Sequence, residues 1–164
     1  MSDTAEILAL LARWDRQQEG YIEEREERFA IMFEILEQTL GDGFTVIDAA
    51  CGPGSLSCRL LKRFPLAKVI AIDADVMLLA MARVALAEFA DRAQVIEADL
   101  ALPDWTDQVR AAVQAMDAQA PAALVSTTAL HWLSPGGLAE FYGLTGTLLA
   151  PGGIVMNGDH MRFD

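Results

Sequence analysis

An α/β fold, a doubly wound parallel sheet with helices on both faces, is predicted by two observations. Short apolar segments alternate with helical stretches of roughly 10–15 residues, the pattern of βαβ units. The apolar segments are near-continuous runs rather than alternating ones, as expected of strands covered on both faces. The 164 residues, 53% hydrophobic and 22% charged, suit one domain with a real core.

The elements follow in order. Residues Thr4–Gln18 read as a helix with Ile7, Leu8, Leu11 and Trp14 on one face, capped by Asp3 or Thr4. A second helix is expected from about Tyr21 to Leu40, with an apolar stripe of Phe29, Met32, Phe33 and Leu36, and Gly41-Asp-Gly43 ends it. The Glu/Arg run Glu23–Arg28 reads as its solvated face. Phe44–Ala49 is the first strand, and Ser55–Phe64 a helix stopped by Pro65. Lys68–Asp73 is the second strand, and Asp75–Ala90 a Met-rich apolar helix expected to pack in the core. Ala93–Glu97 is the third strand, Thr106–Gln119 a helix and Ala122–Thr127 the fourth strand. Gly137–Leu149 is a helix, and Pro151-Gly-Gly153 turns the chain into a last strand, Ile154–Met156. Right-handed crossovers join such units. Ligands bind beyond the carboxyl ends of the strands, here Asp48–Gly54, Asp73, Asp99 and Thr127–Trp132.

Composition excludes several classes. The net charge of −12, from 24 acidic and 12 basic residues, argues against nucleic acid as a partner. Cys51 and Cys58 form neither a disulfide framework nor a metal spacing, so no metal is expected, and reduced thiols suit a cytoplasmic protein. The uncharged span Ala118–Ala139 is broken by Pro121, His131 and Pro135 and reads as strand and loop, so no membrane segment is expected. The N-terminus lacks the basic and apolar regions of a secretory signal.

The chemistry centres on Asp48-Ala-Ala-Cys-Gly-Pro-Gly54. Gly52 and Gly54 permit a tight turn and close approach of a ligand, and the next helix aims its first amides at that ligand. Asp73, at the end of the next strand, is placed to accept hydrogen bonds from ribose hydroxyls. Dinucleotide folds share this layout, so an NAD-type oxidoreductase is an alternative. Against it, Ser57 stands where their third glycine would fall, and the acid Asp48 would repel a pyrophosphate. A positively charged sulfonium tolerates that acid.

Val46–Gly54 resembles the first motif of class I S-adenosylmethionine-dependent methyltransferases, with Ala50 in place of its first glycine. Ala71-Ile-Asp-Ala-Asp75 with Met77 resembles the second motif, and Glu97-Ala-Asp-Leu100 the next segment. Leu124–Leu133 resembles the fourth-strand motif of enzymes similar to trans-aconitate methyltransferase, and Leu149-Ala-Pro-Gly-Gly153 the turn before the fifth strand. The resemblance covers roughly Phe44–Met156.

It implies a Rossmann-like sheet in the order 3-2-1-4-5 and S-adenosylmethionine as cofactor, with methyl transfer to a small-molecule acceptor. It also implies a helical cap over residues 1–42 and a cofactor-binding domain over 43–164. The implied cofactor residues are Asp48, Ala50, Cys51, Gly52, Pro53, Gly54, Asp73, Ala74, Met77, Ala98, Asp99, Leu100, Thr127 and Thr128. Among these, Asp73 serves the ribose, and Asp99 with Ala98 and Leu100 the adenine. Tyr21 or Arg25 would reach the cofactor carboxylate from the cap. His131 is the candidate catalytic base for a hydroxyl or amine acceptor, beside the reading of a loop histidine packed on Trp132. His160 is a candidate substrate contact. A helix and two further strands, 6 and 7, are usual past strand five and are absent from a chain ending at Asp164. The expectation is a truncated protein, with a homodimer covering the strand-five edge, or a non-catalytic binding module, as alternatives.

Overall fold

The computed structural model describes residues 3–159. Five parallel strands form one sheet in the order β3-β2-β1-β4-β5, as expected. They are β1 (Thr45–Ala49), β2 (Lys68–Asp73), β3 (Ala93–Glu97), β4 (Ala123–Thr127) and β5 (Ile154–Gly158). Among the described residues six α-helices accompany them: α1 (Asp3–Tyr21), α2 (Arg25–Leu40), α3 (Ser55–Arg63), α4 (Val76–Ala85), α5 (Trp105–Ala115) and α6 (Pro135–Gly146).

Side chains alternate across each strand, so the sheet divides the core in two. Val46, Val69 and Val125 point to one face, where Phe29 and Leu36 of α2, Leu60 of α3 and Leu79 of α4 cover them. Ile47, Ile70 and Leu124 point to the other, beneath Trp105 and Val109 of α5 and Phe141 of α6. β1 is buried along its whole length. A central strand with no wet face must present apolar side chains in both directions, which is why it reads as a continuous run.

Helix ends differ from the expected ones for local reasons. α6 begins at Pro135, because the Ser134 hydroxyl accepts from the Gly137 amide and proline occupies the first turn. It ends at Gly146, three residues before the expected Leu149. α5 ends at Ala115 rather than Gln119. Asp117 turns left-handed there (φ 47°), and the Lys68 ammonium donates to the carbonyls of Met116 and Asp117. α4 stops at Ala85, and a 3₁₀ turn at Ala87–Phe89 replaces its expected last turn. The Arg92 guanidinium fixes that region, donating to the carbonyls of Leu61, Phe64 and Ala67. β5 runs two residues beyond Met156.

α4 packs through Leu79, Ala82 and Ala85, while the half-buried Met81 and exposed Met77 stay outside the core cluster. The expected core role belongs to its leucine and alanines, not to its methionines. On α1 the inward face runs through Ile7, Leu11, Trp14 and Gln18; Leu8 is exposed.

Trp105 is fully buried and stacks on Phe141 with ring centroids 5.4 Å apart. Among the described residues its indole nitrogen has no hydrogen-bond partner. Trp105→Ala should therefore cost about 3–5 kcal/mol by opening a cavity. Trp105→Phe, which also removes the orphan donor, should cost less than half of that. Urea unfolding of both variants checks the ranking, and equal losses would contradict it.

Candidate active site

The site is built where the strands end. β1 delivers Asp48 and then a loop that reverses direction within a few residues. Three of its residues are left-handed: Ala50 (φ 58°), Gly52 (φ 54°) and Gly54 (φ 84°). Glycine adopts this region freely, whereas Ala50 carries strain of about 1–2 kcal/mol. A Cβ at Gly54 would meet Ala82 of α4 at 3.4 Å, an ordinary contact, so the left-handed backbone and not space calls for glycine there.

Hydrogen bonds hold this loop to the sheet. The Cys51 amide donates to the Ile72 carbonyl (2.9 Å), and the Gly52 amide to Asp73 Oδ2 (2.8 Å). Asp73 Oδ1 accepts from the Asp75 amide (2.9 Å). Each carboxylate oxygen offers two acceptor positions, so one on each remains for a ligand. Asp75 caps α4, accepting from the amides of Met77 and Leu78.

Asp48 is 2% exposed and accepts a 2.5 Å hydrogen bond from the Ser57 hydroxyl. Ser57, which stands where a dinucleotide loop would have its third glycine, is this acid's donor. Burial pushes the Asp48 carboxyl up to about 6, and the Asp73 charge adds to the effect, while the Ser57 bond opposes it. Burial also pushes the Cys51 thiol well above its usual range, with the charges of Asp48 and Asp73 reinforcing it. Cys51 is thus an inert lining group rather than a nucleophile.

A cleft of about 600 Å³ opens over these strand ends. From β1 and its loop it is lined by Asp48, Ala50, Cys51, Gly52 and Pro53; from β2 by Asp73 and Ala74. Ala98, Asp99 and Leu100 line it beyond β3, and Thr127 and Thr128 beyond β4. Asp99 is exposed and folds back on the Ala101 amide (2.9 Å). Two candidates do not line it. Met77 is 72% exposed, and Leu78, one residue on, takes the lining position. Gly54 faces α4 instead.

His131 stands at the rim between the lining residues Leu130 and Trp132, with its ring 5.1 Å from the Trp132 ring. Both its Nδ1 and its backbone amide bond to Asp159, at 2.7 and 2.8 Å. His160 lies outside the described residues.

The N-terminal helices close the cleft through Trp14 and Gln18 of α1 and Arg25 and Phe29 of α2. Tyr21 is 75% exposed and is not in the lining. Arg25 departs from the solvated reading of its charge run: it is 7% exposed, donates to Asp15 (3.0 Å) and Glu26 (3.2 Å), and lies over the Phe29 ring. Asp15 also accepts from Ser55 (2.7 Å) and Arg59 (3.2 Å) of α3. Burial works to raise the Asp15 carboxyl, but the Ser55 hydroxyl and both guanidiniums outweigh it and hold it below its usual value. Trp14, Gln18 and Ser55 were not singled out from the sequence; the facing position of Trp14 on α1 was the one available signal.

A family model described as a methyltransferase domain matches residues 46–153, from β1 to the turn before β5. The chain belongs to the methyltransferase domain family. It is 31% identical over 146 residues to a trans-aconitate 2-methyltransferase of Rhodopseudomonas palustris (strain BisA53), covering 88% of this chain and 49% of that protein. It is 38% identical over 74 residues to a trans-aconitate 2-methyltransferase of Azoarcus sp. (strain BH72), covering 44% of this chain and 28% of that one. The methyltransferase domain in hand thus spans half or less of the length of these two curated relatives. Its fold matches that of a SAM-bound amino pentose methyltransferase from Micromonospora echinaspora, with TM-score 0.70 at 18% identity over 92% of this chain and 58% of that one. Among the described residues no helix is long and apolar enough to cross a membrane.

The raised Asp48 carboxyl has a consequence for stability. The folded chain holds this proton up to about pH 6, whereas the unfolded chain releases it near the ordinary carboxyl value of 3.8. Asp48 therefore lowers stability as pH rises through that window, by on the order of 3 kcal/mol in total. Asp48→Asn keeps an acceptor for Ser57 and should remove this loss, so the variant gains on wild type as pH rises. Urea unfolding of both proteins from about pH 4 to pH 7 reads it. Parallel pH profiles would contradict it.

Proposed function

We propose that this protein transfers a methyl group from S-adenosylmethionine to a small-molecule acceptor. The observation that carries the reading is the loop Asp48–Gly54, left-handed at three positions and bonded to Asp73, at the floor of a cleft that Asp99 also lines. Membership in the methyltransferase domain family supports it. So does the SAM-bound neighbour that shares the fold.

The residues present suit this ligand. When bound, S-adenosylmethionine supplies an electrophilic methyl group on a positively charged sulfur. Three carboxylates line the cleft, Asp48, Asp73 and Asp99, against one guanidinium, Arg25, already paired with Asp15 and Glu26. That balance favours a cationic ligand and disfavours a pyrophosphate, which sets the NAD reading behind.

The free acceptor positions of Asp73 would take the two ribose hydroxyls, and Asp99 with Ala98 and Leu100 the adenine. Gly52, Ala50, Cys51, Pro53, Thr127 and Thr128 would surround the methionine end. Arg25 and the first turn of α3 would face its carboxylate. Residues 1–42 would serve as a helical cap on the cofactor-binding domain, 43–164. The chain's own contribution is mainly alignment, since holding donor and acceptor in line can supply about 7–11 kcal/mol of the barrier. The two unpaired cysteines support a cytoplasmic setting.

Titration calorimetry with S-adenosylhomocysteine should show saturable one-site binding. Asp73→Asn should weaken it roughly 10–100-fold, the value of a charge-assisted hydrogen bond pair, with the fold retained by circular dichroism. Tight NADH binding with no response to S-adenosylhomocysteine would establish the oxidoreductase reading instead.

A further inference from the structure

The turn after β4 and the residue after β5 meet at the cleft mouth. There the Asp159 side chain is 7% exposed and accepts twice from His131, once from the backbone amide and once from the ring. A carboxylate only accepts, so the shared proton sits on Nδ1 of the imidazole. The ring nitrogen left as an acceptor is Nε2, on a side chain 41% exposed. The backbone bond fixes the turn on the same carboxylate and thereby the direction of the ring. An imidazole held this way has the tautomer and the orientation of a general base.

The charge of the cleft bears on what such a base would serve. Among the described residues lining it, Arg25 alone is cationic, and its guanidinium is committed to Asp15 and Glu26. Among the described residues a polyanionic acceptor such as trans-aconitate finds three carboxylates and no cation outside those pairs. What the mouth does offer is an apolar surface: Trp132 is 83% exposed, with Leu133 and Leu130 beside it. A neutral, flat acceptor can stack there.

We infer that Asp159 is a positioning residue that holds His131 as the base for a neutral acceptor bearing a hydroxyl or amine and an apolar face. The inference rests on the methyltransferase reading above. In the step assigned to the pair, the acceptor's O–H or N–H bond breaks and its electron pair stays on the heteroatom. The proton goes to Nε2, and the Asp159 carboxylate balances the imidazolium until water takes the proton away.

Long-range proton–nitrogen NMR of the imidazoles tests this; His131→Asn assigns the His131 signals. Wild type should show Nδ1 protonated and Nε2 bare. Asp159→Asn, whose amide can donate, should lose that pattern while binding S-adenosylhomocysteine as wild type does. With S-adenosylhomocysteine bound, 2-naphthol should shift the Nε2 signal and trans-aconitate should not. A protonated Nε2 in wild type would overturn the inference, and it is read without any variant. So would an unchanged tautomer in Asp159→Asn, or a response to trans-aconitate with none to 2-naphthol. No shift of the Gly52 amide with S-adenosylhomocysteine would refute the underlying reading instead.

Discussion

The hydrogen bond from the Gly52 amide to Asp73 is the constraint on which the rest of the site depends. A loop that is left-handed at Ala50, Gly52 and Gly54 does not hold that path by its own preference, least of all at the alanine. It is held because parallel pairing of β1 with β2 ends with Ala49 opposite Ile72 and Asp73 one residue on. The carboxylate at that position takes the first free loop amide, while its other oxygen takes the Asp75 amide and so starts α4. One side chain therefore sets the loop, the following helix and the carboxylate's own direction. The ladder places Asp73, Asp73 fixes the loop, and the loop with α3 leaves the cleft above.

A second network closes that cleft from the other side. Asp15, Arg25, Ser55, Arg59 and Glu26 join α1, α2 and α3 through charged hydrogen bonds. Most of these atoms are only half-buried, where isolated ion pairs contribute little. Their value is geometric, since they fix α1 and α2 to the helix whose first turn faces the site. Among the described residues lining the cleft, the acids are matched only by Arg25, which is paired with Asp15 and Glu26. Buried Asp48 stands apart, because the hydroxyl and backbone of Ser57 do not offset the loss of water.

The sheet was legible because buried parallel strands must be apolar on both sides, and β2 and β4 announce this in runs such as Val69–Ile72. The loop was legible because glycines at a strand-to-helix turn have few other uses. Helix ends were less so. Ser134-Pro135 is a capping signal visible in the sequence that a later glycine obscured, whereas α5 ends on a left-handed aspartate that no glycine marks. The exchange of Met77 for Leu78 in the lining is a matter of helical phase, a rotation of about 100° per residue. Pairings between distant elements, Asp48 with Ser57, Arg25 with Asp15 and His131 with Asp159, depend on which side chains the sheet order brings together. They carry no periodic trace along the chain.

The central claim is that one cofactor occupies the strand ends from Asp48 to Thr128. Backbone amide shifts recorded during titration with S-adenosylhomocysteine test it most directly. The predicted result is a set of large, saturating changes confined to the loop after β1, Asp73–Asp75, Ala98–Leu100 and Thr127–Thr128. Changes centred on the opposite end of the sheet, around Gly43, Lys68 and Asp117, or none at all, would contradict it.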